Sequence, residues 1–169
     1  MATLTDPLRQ EHQHLLPHLE QLRAAADAIG VAPSAEAHAF LVNRLLPHAQ
    51  AEEAALYPLV ARLMGAPEAT ATMSRDHVAI DRLTAELGTL RTRLQAGAPD
   101  LALERDVHRV LYGLHTLIRV HFDKEEEVYL PLLDARLDVG DAHALFSEME
   151  QAAATANHTP RVGDEVHAH

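Results

Sequence analysis

Toward the end of its longest amphipathic stretch the chain reads His121-Phe-Asp-Lys-Glu125, and earlier it reads His48-Ala-Gln-Ala-Glu52. Four steps of ~100° bring a helix almost full circle, so each histidine stands beside its glutamate on one face, where the two could share a metal ion. Their neighbours are apolar at alternating intervals of three and four. One stretch runs Val107, Leu111, Leu114, Ile118, His121, Glu125, Val128, Leu132, and the other Leu41, Leu45, His48, Glu52, Ala55, Leu59. That spacing is the core-facing seam of a bundle helix, which puts the polar pairs inside.

The two stretches overlay, HAQAEEAALYPLVARL on HFDKEEEVYLPLLDARL, and each carries a proline downstream of its histidine, Pro58 and Pro131. Each is preceded by a helical pattern with one histidine after an acid. These are Glu11-His12, followed by Leu15 and Leu22, and Asp76-His77, followed by Ile80 and Leu87. The chain therefore reads as two helical hairpins of one design. The arms from His12 to Gly30 and from Ser34 to Glu52 have equal length, and those from His77 to Gly97 and from Asp100 to His121 nearly so. Equal arms bring their ends to one height, so His12, His48, Glu52, His77, His121 and Glu125 are expected in a single buried polar layer.

A buried carboxylate without a partner costs several kcal/mol, and no Lys or Arg occupies a seam position at this level. With no cysteine in the chain, a cation there must be held by imidazole and carboxylate. Six ligands exceed one tetrahedral ion. They suit two ions bridged by Glu52 and Glu125, with two histidines each and positions left for a bridging oxygen and an exogenous ligand. A single His-Glu pair would read as a satisfied core hydrogen bond, and it is the repeat that argues for metal. Ligand types alone admit manganese, zinc or iron.

The elements that must position these groups follow from punctuation. Thr5-Asp6-Pro7 starts the first helix, which carries Pro17 inside and closes at Gly30. Ala32-Pro33-Ser34 is a turn before a second helix that runs to Gly65 with Pro47 and Pro58 inside. A third starts near Ala66-Pro67 and ends at Gly97, and Asp100 caps a fourth that reaches about Leu137. This is an all-α, up-and-down antiparallel four-helix bundle over residues 1–156, closed by a short fifth helix from Ala142 to about Ala154. Residues 157–169 have no periodicity and are expected to form a disordered tail.

Composition fits one globular domain of 169 residues, 47% of them hydrophobic. A net charge of −11 argues against nucleic acid as a partner. No segment reads as a membrane span or a signal peptide, so a cytoplasmic protein without membrane partners is expected. Glu53 and Glu126 read either as supports for the ligands or as surface carboxylates, and Tyr57, Tyr112 and Tyr129 as core or boundary packing. Glu11-x-x-His14 is the only spacing that fits a ferritin-like site, which makes that alternative weak.

One histidine, then His-x-x-x-Glu, then one histidine, then His-x-x-x-Glu resembles the hemerythrin-like (HHE cation-binding) family over about Leu8 to Leu133. The resemblance implies a non-haem di-iron centre, two Fe ions bridged by oxo or hydroxo and two carboxylates. His12, His48, His77 and His121 would be terminal ligands and Glu52 and Glu125 the bridges. It implies a small-molecule partner, O2, H2O2 or NO, bound or turned over, or else an iron- or oxygen-sensing role. Oxygen-carrying members have a histidine four positions before the helix-three ligand, where this chain has Met73, which implies a centre other than a dedicated oxygen carrier.

Overall fold

A computed structural model describes residues 3–158, and no strand occurs among them. Five helical runs make up the described residues. α1 spans Asp6–Ala28, α2 is a continuous run over 31–64, α3 spans Ala71–Ala96, α4 is a run over 101–136, and α5 spans Val139–His158. α5 is longer at both ends than the sequence suggests, and residues 159–169 of the expected tail lie outside the described residues. α1 packs against α2 and α4, α3 packs against the same two, and α5 lies across the 46–56 segment of α2.

The ends follow local chemistry, with two departures. Asp100 caps α4 by accepting from the Leu103 N–H at 2.8 Å. α1 closes through Ile29 (φ 34°) and not through Gly30, which is extended and starts α2 one residue later. A β-branched residue at positive φ is strained, and its side chain packs on the core instead. The expected Ala32-Pro33-Ser34 turn is thus the first turn of α2, where a proline lacks nothing the helix needs. α3 starts at Ala71, after the tight turns that close at Ala69 and Ala71.

Prolines shape the two helices that carry the His-Glu pairs. Wide π turns occur at Leu41–Leu45, Glu52–Leu56 and Glu125–Tyr129, each with a proline two residues beyond it, Pro47, Pro58 and Pro131. A proline ring clashes with the carbonyl four residues back, so the residue before it reaches one further. The Leu46, Tyr57 and Leu130 N–H groups accordingly bond the Leu41, Glu52 and Glu125 carbonyls. Each wide turn shifts the buried stripe by one residue. Val128, expected inward, is 53% exposed, while Tyr129, Leu130 and Leu133 are buried. In α2 Leu59 is only half-buried and Val60 is buried. Pro17 leaves α1 unbroken.

The apolar core falls into two clusters. One holds Leu15, Leu19, Leu22, Leu41, Leu45, Ile80, Leu87, Leu111, Leu114, Ile118 and Phe122, and the other Leu8, Leu56, Tyr57, Val60, Met73, Leu130, Leu133, Leu145 and Met149. On α1, α2 and α3 the buried histidine falls between the two, and on α4 it is Glu125 that lies between Phe122 of the first and Tyr129 of the second. No helix among the described residues is long and apolar enough to cross a membrane.

Candidate metal centre

All six side chains singled out by their spacing are buried, and they converge. One donor atom each from His12, His48, Glu52 and Glu125 lie within 4.8 Å of one another, and so do one each from Glu52, His77 and His121. Glu52 faces both groups. Its Oε1 is 3.0 Å from His48 Nε2 and 3.8 Å from His12 Nε2, and its Oε2 is 3.3 Å from His77 Nε2. Glu125 divides in the same way, Oε2 lying 3.4 Å from His12 Nε2 and Oε1 3.5 Å from His121 Nε2. Because each glutamate stands four residues after its histidine on a regular helix, its carboxylate sits directly beside its own imidazole, and its second oxygen reaches a histidine of the other hairpin.

Every imidazole presents Nε2 to this cluster and Nδ1 to a carboxylate behind it. His12 Nδ1 meets Glu126 at 2.8 Å and His77 Nδ1 meets Glu53 at 2.8 Å. His48 Nδ1 lies 3.1 Å from Glu11, and His121 Nδ1 lies 3.3 Å from Asp76. Arg9 in turn pairs with Glu126, Ser74 with Glu53 and Lys124 with Asp76. A carboxylate on Nδ1 fixes the ring and directs the Nε2 lone pair inward, as metal-ligating histidines require. Glu53 and Glu126, left between two readings by the sequence, thus touch the ligand candidates. Glu11 and Asp76 were missed, although the acid before each lone histidine was their signal in the sequence.

Tyr57 is a correction: it does not merely pack the core. Its hydroxyl donates to Glu125 Oε1 at 2.8 Å and lies 3.4 Å from His77 Nε2 and 3.2 Å from His121 Nε2, which are themselves 2.9 Å apart. In a regular α-helix Tyr57 would point away from Glu52, and the π turn brings it round. On the other side Phe122 stacks on the His12 ring at 4.3 Å. Tyr112 and Tyr129 point elsewhere, to Asp27 and to the Ala69 carbonyl. His14 and His143 are exposed, and His115 faces Glu20.

The charges of the cluster call for a cation. Burial raises the Glu52 carboxyl, but His48, His12 and His77 outweigh it and hold it well below the usual carboxylate range. Burial lowers the His12 ring, yet Glu125 and Glu52 raise it to about 9, and His48 and His77 are raised in the same way. His121 is lowered, because burial there outweighs Glu125. His12 Nε2, His48 Nε2, both Glu52 oxygens and Glu125 Oε2 are buried without an aligned hydrogen-bond partner. Unpartnered imidazole nitrogens and carboxylate oxygens aimed at common points are a hard-to-borderline donor set, and they fit divalent or trivalent metal.

The Tyr57 contact gives a measurable consequence. In chelator-treated protein Tyr57→Phe leaves a buried carboxylate oxygen unpaired and is expected to cost about 1–3 kcal/mol, read from the denaturation midpoint. Tyr112→Phe, at an exposed hydroxyl, is expected to cost less than about 1 kcal/mol.

The family model described as Hemerythrin HHE cation binding domain matches residues 3–133, which takes in α1 to α3, α4 as far as Leu133 and every residue of this cluster but not α5. No curated protein and no solved structure matches.

Proposed function

The chain belongs to the hemerythrin HHE cation-binding family, and on that premise we propose that it is a non-haem di-iron protein whose centre binds or reacts with dioxygen, peroxide or nitric oxide. One observation carries the reading: Glu52 and Glu125 each turn one oxygen toward the His12/His48 pair and the other toward the His77/His121 pair. His12, His48, His77 and His121 would be the terminal ligands and the two glutamates the bridges. Iron held there supplies redox activity and coordination positions open to a small molecule.

The chain's own residues prepare that chemistry. Glu126, Glu53 and Asp76 meet Nδ1 of His12, His77 and His121, and Glu11 lies 3.1 Å from Nδ1 of His48, which turns each Nε2 inward. Phe122 and the two apolar clusters keep bulk water from the layer, which strengthens every electrostatic interaction in it. Tyr57 holds a proton on its hydroxyl, where burial and the charges of Glu52 and Glu125 push its pKa far up. An up-and-down order of α1 to α4 would place each lone histidine against the His-Glu pair of its own hairpin. A cavity of about 280 Å³, lined by Leu8, Glu11, Ala51, Phe146, Met149 and Glu150, reaches His48 from outside the layer.

Protein purified in air is expected to carry about two irons per chain, with near-ultraviolet absorption from paired ferric ions. His48→Ala and Glu125→Ala should each deplete that iron. A colourless, iron-free preparation that iron cannot reconstitute would refute the proposal. A second reading, an iron- or oxygen-sensing module without turnover, is favoured by one feature: α5, outside the family match, lies on the 46–56 segment that carries His48 and Glu52. It predicts a large response to chelation and no consumption of peroxide or nitric oxide.

A further inference from the structure

The internal repeat breaks at one place that matters for metal. When the two His-x-x-x-Glu stretches are overlaid on their prolines, Tyr57 falls opposite Leu130, a fully buried apolar side chain. A hydroxyl therefore stands beside one half of the cluster and not beside the other. At the second half, Tyr57 lies within 3.4 Å of His77 Nε2 and 3.2 Å of His121 Nε2, those nitrogens are 2.9 Å apart, and Glu125 Oε1 accepts the hydroxyl proton at 2.8 Å. At the first half, His12 Nε2, His48 Nε2, Glu52 Oε1 and Glu125 Oε2 are buried and have no aligned partner.

We propose that the two halves take metal unequally, the ion among His12, His48, Glu52 Oε1 and Glu125 Oε2 binding first and more tightly, and the ion among His77, His121, Glu52 Oε2 and Glu125 Oε1 second. The inference rests on the two-ion reading above and adds an order to it. A cation entering the first half meets four donors, two nitrogens and two oxygens, and removes the penalty of four unsatisfied buried atoms. A cation entering the second half also meets two nitrogens and two oxygens, but of these only Glu52 Oε2 is without an aligned partner. It must displace the contacts that His77 Nε2, His121 Nε2 and Glu125 Oε1 already make with one another and with the Tyr57 hydroxyl. Each charge-assisted bond exchanged in this way weakens binding, so the two affinities should differ by at least about tenfold. Glu52 joins the halves, and the first ion fixes its Oε1 and so orients Oε2 toward His77.

Anaerobic titration with Fe2+, followed by calorimetry, should show two steps of one ion each. Mn2+ followed by electron paramagnetic resonance should give the six-line signal of an isolated ion at one equivalent and the spectrum of a coupled pair only toward two. His77→Ala should keep one tightly bound ion, and His12→Ala should lose the tight step. A coupled-pair spectrum from the first addition, or a His77→Ala chain that binds nothing while His12→Ala keeps one tight ion, would overturn the order and leave the two-ion reading standing. A wild-type chain that takes up neither metal would overturn both.

Discussion

Stripping metal from the chain with a strong chelator is expected to lower its melting temperature by roughly 15–30 °C at neutral pH. A ligand present at about a thousand times its dissociation constant stabilises the folded state by ~4 kcal/mol per site, and two sites double this. For a chain of this size each kcal/mol is worth roughly 2–4 °C. The pH dependence carries a sign that can be checked separately. In chelated protein the carboxylates are compensated by protonated imidazoles, with His12 raised from 6.5 to about 9 and His48 and His77 raised as well. A raised folded-state pKa contributes stability that is complete below the unfolded value and is lost as pH rises through the folded one. The chelated chain should therefore weaken between pH ~6.5 and ~9. Glu52, held low, works at the other end: its contribution is present above its usual pKa and is lost as pH falls. Metal must displace the imidazole protons, so its affinity rises over the window in which the chelated chain loses stability. The gap in melting temperature between loaded and chelated protein should widen from pH 6.5 to 9. A gap that stays constant, or a chelator without effect, would show that these histidines are not exchanging protons for metal.

The same residues explain what could be read from the sequence and what could not. The alternation of three and four located the buried stripe from Leu8 to Leu22 in α1 and from Val107 to Glu125 in α4, because those stretches are regular α-helix. The stripe failed at Leu59 and Val128, two turns and one turn past their ligand glutamates, because proline-driven π turns shift the phase by one residue and a 3.6-residue period cannot anticipate that. Tyr57 was misjudged for the same reason, and it is the side chain that makes the two halves of the cluster differ. The repeat of histidines and glutamates was legible because the chemistry is written twice. The carboxylates behind the rings were harder, since Glu11 and Asp76 support a histidine on the neighbouring helix and not the one beside them in sequence. Ile29 in place of Gly30 was invisible, because nothing local favours a β-branched residue at positive φ and only its packing against the core holds it there.

Glu52→Ala is expected to remove both ions, and a single carboxylate has this reach because of where its two oxygens lie. Oε1 is directed to His48 and His12 and Oε2 to His77, so Glu52 takes part in both halves and meets three of the four histidines. Breaking a buried charge pair from one side costs about 3–5 kcal/mol, so each ion should be weakened on the order of 10²- to 10⁴-fold. Glu126→Ala acts one step further out, touching His12 and no other of the four rings, and should cost roughly 10–100-fold at the first half and little at the second. The two variants also separate ligation from general damage to the core. Removing the Glu52 charge takes away a principal reason for His12, His48 and His77 to hold protons, so the chelated Glu52→Ala chain should lose much of the wild-type decline in stability between pH ~6.5 and ~9. A chain damaged only in its packing would lose metal and keep that pH dependence. If Glu52→Ala still bound one ion tightly, the carboxylate would not be shared, and the paired reading of the six residues would have to give way to two independent sites.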